Sequence, residues 1–105
     1  MAHSDTRKVA LVTGANQGIG YAVAERLGRD GMRVILNGRR EAAVTAAART
    51  LRDAGVDVMG VAADVSDEHA VTALFEQIAT QYGRLDVVVS GGTLNGIRVL
   101  LNTSM

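Results

Sequence analysis

Apolar positions in this chain follow two alternating periods. A short apolar run, Val9-Ala10-Leu11-Val12, lies within a predicted strand over Lys8–Thr13. From Gln17 to about Asp30 the apolar residues recur instead at helical spacing, and Ile19, Ala22, Val23 and Leu27 share one predicted face. Gly31 stands where a glycine closes a helix. The cycle then repeats. Val34-Ile35-Leu36 marks a second strand over Arg33–Asn37. Glu41–Ala54 carries Val44, Ala47, Ala48 and Leu51 at helical spacing and ends at Gly55. Val56–Ala62 is a third strand. Ser66 is the predicted N-cap of a third helix, with Asp67 and Glu68 in the first turn, where the helix dipole favours acids. Val71, Leu74, Phe75, Ile78 and Tyr82 form the apolar stripe of that helix, and Gly83 ends it. Leu85–Val89 is a fourth strand. Apolar strands separated by amphipathic helices at this spacing predict right-handed βαβ units and a parallel sheet.

The rhythm breaks after the fourth strand. Residues 91–96 have loop composition, and Ile97–Leu101 is a further strand-like apolar run. Six intervening residues are too few for a parallel crossover, which takes a dozen or more. This run is therefore expected to form a short antiparallel edge strand, to pair with another chain, or to stay disordered. Residues 1–7 are polar and read as a disordered leader, with residues 8–105 as a single domain.

The chemistry concentrates in one turn. Thr13-Gly14-Ala15-Asn16-Gln17-Gly18-Ile19-Gly20 joins the first strand to the first helix. A glycine-rich strand–helix turn suits a dinucleotide pyrophosphate, because the helix start offers free N–H groups and the positive end of its dipole. Gly14 is expected to make the tight turn. Gly18 is expected to admit the pyrophosphate, and Gly20 to let helix pack closely on strand. Asn16, Gln17 and Ile19 are the remaining contact candidates, and Thr13 is expected to brace the turn. At the end of the second strand, Asn37-Gly38 supplies no acid to hold a ribose 2′-hydroxyl. Arg39, and secondarily Arg40, instead suit a 2′-phosphate through charge and bidentate hydrogen bonds. The expected cofactor is therefore NADP(H).

Composition narrows the field further. Net charge is zero, which argues against nucleic acid or an anionic membrane as partner. The sequence has no cysteine, so disulfides and thiolate metal sites are excluded, and its His, Asp and Glu residues show no metal-ligand spacing. No apolar run approaches the roughly 18 residues of a membrane span. A soluble cytoplasmic protein is the expectation.

With these residues in view, the chain resembles the cofactor-binding part of short-chain dehydrogenases/reductases over about residues 8–91. Three motifs carry the resemblance: Thr13-Gly14-x-x-x-Gly18-x-Gly20, Asp64-Val65 after the third strand, and Leu85-Asp86-Val87-Val88-Val89. The resemblance implies an α/β, Rossmann-like parallel sheet in strand order 3-2-1-4, with the ligand near the switch between strands 1 and 4. It implies adenine-side contacts from Asp64 and Val65, and cofactor contacts after the fourth strand from Ser90 and Gly91. The departures are equally informative. Ser90-Gly91-Gly92-Thr93 stands where the family has Asn-Asn-Ala-Gly. The family's catalytic tyrosine, with a lysine four residues on, has no counterpart, since Tyr21 and Tyr82 are followed at that interval by Glu25 and Asp86. The single lysine, Lys8, precedes the first strand. The implied activity is NADP-dependent hydride transfer between carbonyl and alcohol, in a chain truncated or internally deleted relative to the family. The alternatives are a non-catalytic NADP-binding module and a structural or interaction protein with a vestigial glycine turn. Self-association through an exposed sheet face or edge is expected, because one sheet face has a single helix to cover it.

Overall fold

Why the strands need cover on both faces is plain from their composition: apolar side chains point alternately up and down from each. A computed structural model describes residues 6–14 and 18–90 of the chain. It shows a four-stranded parallel sheet in the order β3-β2-β1-β4. The elements are β1 (Val9–Thr13), α1 (Gly18–Arg29), β2 (Arg33–Gly38), α2 (Glu41–Asp53), β3 (Val58–Ala62), α3 (Glu68–Tyr82) and β4 (Val87–Ser90). Register places Val12 beside Leu36, Thr13 beside Ser90 and Gly38 beside Ala62, so the strand ends are nearly level. The predicted strand order and sheet class are those observed, and the expected Ile97–Leu101 edge strand lies outside the described residues. Among the described residues no helix is long and apolar enough to cross a membrane.

Two apolar layers sandwich the sheet. On one face Val12, Val34, Leu36 and Val58 meet Ala24 of α1 and Ala47, Ala48 and Leu51 of α2. On the other, Val9, Leu11 and Ile35 meet Leu74, Ile78 and Tyr82 of α3. Every residue of β1 and β2 is buried, as continuous apolar runs in central parallel strands require. The single helix on the second face covers less. Met59, Val61, Val65, Phe75, Leu85 and Val88 pack there only partly buried.

Three local expectations are corrected. The first helix does not bury the face carrying Ile19. Gly20 and Ala24 are its buried residues, with Tyr21 and Leu27 partly buried beside them, and Ile19 is 80% exposed. Close approach selects the small residues. A Cβ on Gly28 would lie 2.2 Å from Cγ1 of buried Val56, so this helix sits too near the sheet layer for a larger stripe. The N-cap of α3 is Asp67, not Ser66: the Asp67 side chain accepts from the His69 N–H, while Ser66 is drawn to Asp64. Strand β4 begins at Val87 rather than Leu85. Just before it, Asp86 exchanges bonds with Val9, its N–H donating to the Val9 carbonyl and its carboxylate accepting from the Val9 N–H.

Candidate functional site

All four strands deliver their carboxyl ends to one edge of the sheet, and the strand order reverses between β1 and β4. Crevices at such a reversal are where open α/β sheets take ligands. At the end of β1, Gly14 has φ 62° and Gly18, opening α1, has φ 70°. Both values lie in the left-handed region that costs other residues about 1–2 kcal/mol, so glycine is needed at each. A Cβ on Gly18 would meet no described atom within 4 Å. Ile19, in the first turn of α1, is exposed, and the next residue, Gly20, is buried. Thr13 is 1% exposed, and its Oγ1 has no hydrogen-bond partner among the described residues. An orphaned buried hydroxyl at the root of a glycine turn fits a site completed by a polar ligand or by the turn itself. Asn16, Gln17 and Gly91 lie outside the described residues. Ser90 ends β4 beside Thr13.

One strand over, Arg39 and Arg40 follow β2. Both are exposed, and neither forms an ion pair among the described residues. Arg40 takes the N-cap position of α2, with φ −99° and ψ 119°, and offers no side-chain cap. Two guanidiniums thus stand at the positive end of a helix dipole, with Glu41 as the acid of the first turn. Cations there are unfavourable by some tenths to about 1 kcal/mol each, which an anion would relieve.

Beyond β3, Asp64 Oδ1 accepts from the Ser66 hydroxyl at 2.7 Å and the Ser66 N–H at 3.0 Å. These bonds, with a smaller contribution from the Arg39 charge, hold the carboxyl below its ordinary value, so it is ionised at neutral pH. Asp64 Oδ2 makes no hydrogen bond among the described residues and is available to a donor. Val65 packs partly buried against the layer under α3. The structure therefore places Gly14, Gly18, Ile19, Gly20, Arg39, Arg40, Asp64, Val65 and Ser90 along one sheet edge.

Sequence reasoning missed a polar residue at the centre of this edge. Asn37 is 1% exposed, and its Nδ2 donates to the carbonyls of Val61 and Ala63 at 3.0 and 3.3 Å. A lone polar residue closing an apolar strand was the available signal. The two tyrosines offer no acid to this edge in the family's pattern. Tyr21 packs partly buried against the α1–α2 layer. Tyr82 lies at the opposite edge, where Arg33, the first residue of β2, stacks over its ring at 4.8 Å. Burial there pushes its hydroxyl up from the usual value and keeps it protonated. No group of three or more metal-ligating side chains occurs among the described residues.

Comparison with known proteins gives one consistent family. A family model described as short chain dehydrogenase matches residues 8–104. Short-chain reductase protein NovJ of Streptomyces niveus is 43% identical over 93 residues, covering 89% of this chain and 36% of the relative. Tropinone reductase-like 3 of Erythroxylum coca is 40% identical over 88 residues, covering 84% and 34%. The chain thus spans about a third of the length of these relatives. Among solved structures, an actinorhodin polyketide ketoreductase variant with NADPH superposes with a TM-score of 0.81 at 38% identity, covering 86% of this chain and 34% of that one. A metagenomic short-chain oxidoreductase in complex with NADP gives 0.73 at 38% identity, covering 77% and 37%.

Proposed function

Because the chain belongs to the short chain dehydrogenase family, we propose that its strand-end edge binds NADP(H) and serves a carbonyl/alcohol oxidoreductase. The observation that carries this reading is the Arg39–Arg40 couple at the N-terminus of α2, without an ion pair among the described residues and one strand from the positive-φ glycines Gly14 and Gly18. The dinucleotide would lie across the edge, with its pyrophosphate over Gly14–Gly20 and its adenosine between Arg39 and Asp64. Complexes of solved relatives with NADPH and NADP support that choice.

The residues divide the work by charge. The N–H groups opening α1 meet the pyrophosphate. Gly18 leaves room for it, and Asn16, Gln17 and Ile19 supply the rest of the turn's contacts. Arg39, assisted by Arg40, neutralises the 2′-phosphate. The free Oδ2 of Asp64 accepts from the adenine amino group, with Val65 packing beside it. Ser90 and Gly91 border the nicotinamide end. The nicotinamide supplies or takes the hydride when bound. The 105 residues contain no Tyr-x-x-x-Lys to move the accompanying proton, which favours a second reading in which this chain alone binds cofactor without turnover. Self-association belongs to the same proposal, since α3 alone leaves six apolar residues of its layer partly exposed.

Calorimetric titration with NADPH and NADH, on the wild-type chain and Arg39→Ala, tests the reading. The substitution should cost NADPH about 1.5–3 kcal/mol, the worth of a hydrogen bond to a charged group, and leave NADH almost unchanged. Equal NADPH affinity in both proteins would refute the assignment. Addition of carbonyl substrates to the NADPH-saturated chain should give no enzymatic oxidation of NADPH, and robust turnover would point to an unidentified acid.

A further inference from the structure

Asn37 is the one carboxamide buried in the sheet among the described residues. Its place in β2 alternates with Val34 and Leu36, so it shares the α3-side face with Leu11 and Ile35. A buried amide costs free energy unless its donors are paired. Here both neighbours are carbonyl oxygens, Val61 and Ala63, so only the amino end of the side chain can face them. The Ala63 N–H adds a bond to the Gly38 carbonyl at 3.0 Å. These three hydrogen bonds add to the strand ladder, which pairs Asn37 with Val61 and Gly38 with Ala62. They stop immediately before Arg39 on one strand and Asp64 on the other. Past that point no backbone hydrogen bond links the two loops among the described residues.

We propose that Asn37 is a positioning residue that sets the interval between Arg39 and Asp64, and through it the preference for 2′-phosphorylated adenosine. The inference rests on the dinucleotide reading above. Both loops must address one adenosine moiety at once, and hydrogen bonds weaken steeply with small errors of angle. The interval has a second consequence. Asp64 is within electrostatic reach of Arg39. A carboxylate allowed to swing nearer would pair with the guanidinium and compete with a phosphate for it. Asn37 fixes the root of the Asp64 loop, and Ser66 turns the carboxylate within it. A leucine at position 37 would fill the apolar layer but leave the carbonyls of Val61 and Ala63 without this donor.

The test compares NADPH, NADH and 2′,5′-ADP binding by calorimetry on the chain carrying Asn37→Ala, Asn37→Ser, Arg39→Ala and the Asn37→Ala/Arg39→Ala pair. Simple loss of folded protein lowers all affinities by one factor and leaves the NADPH-to-NADH ratio where it was. The expected result is a ratio reduced about tenfold by Asn37→Ala, with 2′,5′-ADP weakened in parallel. In the Arg39→Ala background the same substitution should leave the ratio unchanged, because the effect acts through Arg39. Asn37→Ser, which keeps one hydroxyl donor, should fall between wild type and Asn37→Ala, and it decides the question alone if Asn37→Ala fails to fold. A wild-type ratio in a folded Asn37 variant, while Arg39→Ala still lowers it, would overturn the positioning role and spare the cofactor reading. No NADPH preference in the wild-type chain would overturn both.

Discussion

The two edges of the sheet differ in how their charges are used. At the strand-start edge four arginines are engaged. Arg84 grips both oxygens of Asp86 at 2.8 Å, and Asp86 also accepts from the Val9 N–H. Arg7 pairs with Asp57, Arg52 donates to the Val58 carbonyl, and Arg33 stacks on Tyr82. At the strand-end edge the reverse holds. Among the described residues, Arg39 and Arg40 have no acidic partner in contact, the Thr13 hydroxyl is orphaned, and no atom lies within 4 Å of a Cβ placed on Gly18. One edge is finished by the chain itself. The other is left in a state that a ligand with phosphates would complete. The comparison teaches that unpaired groups mark the site better than charge as such, since arginines occur at both edges.

Substitutions should separate the edges. The largest effect is expected at the open one. Gly18→Val should weaken NADPH by at least about a hundredfold, or 2.7 kcal/mol, because a branched side chain would occupy the space above the turn. The positive φ of Gly18 adds strain of about 1–2 kcal/mol for any other residue. Circular dichroism should therefore show a folded protein with a lower melting temperature, and unchanged affinity in it would show that the phosphates lie elsewhere.

At the closed edge the expected effect is on stability alone. Asp86→Ala removes a charged hydrogen-bond acceptor from Arg84 and from the first N–H of β1, at a cost of about 2–3 kcal/mol. NADPH affinity per folded molecule should not change. The same contact predicts an acid limb. Arg84 first, and Val9 after it, hold the Asp86 carboxyl below the usual 3.8 in the folded state. A depressed carboxyl contributes stability that is full above the unfolded value and is lost as pH falls through the folded one. Denaturant midpoints should therefore drop below about pH 4, and Asp86→Asn should flatten that drop. A wild-type acid profile in the variant would remove Asp86 from the account.

A smaller effect is expected between the edges. Gly28→Ala gains about 1 kcal/mol of helix propensity but drives a Cβ onto Val56, where overpacking costs about 1–3 kcal/mol. The net should be a melting temperature lower by a few degrees, and a rise would mean that α1 can lift from the sheet freely. The smallest effect belongs to Asp30→Asn. It breaks an exposed pair with Arg26 that is worth at most about 0.5 kcal/mol, and a melt should barely register it.

Much of this molecule is legible without coordinates. Val9–Val12, Val34–Leu36 and Val87–Val89 are continuous apolar runs, which in a strand means burial on two faces and therefore a parallel sheet between helices. The glycine turn, Arg39 after an acid-free strand end, and Asp64 are equally local, because each reports a backbone conformation or a charge at a known point of the chain. What periodicity could not convey is distance. Ile19, Ala22, Val23 and Leu27 make a plausible helical face, yet the buried residues of α1 are Gly20 and Ala24, because only a close packing distance favours small side chains over large ones. Ser66 is as good a cap as Asp67 by residue type, and it lost the position to a hydrogen bond with Asp64. Asn37 and Val61 are 24 residues apart, and no pattern in either strand announces that a carboxamide bridges them. The elements, their order and the chemistry offered at their ends could be read along the chain, since they follow from local conformation and burial period. Tertiary structure alone decided which polar groups found partners across the sheet, because pairing depends on distances between residues that are remote along the chain.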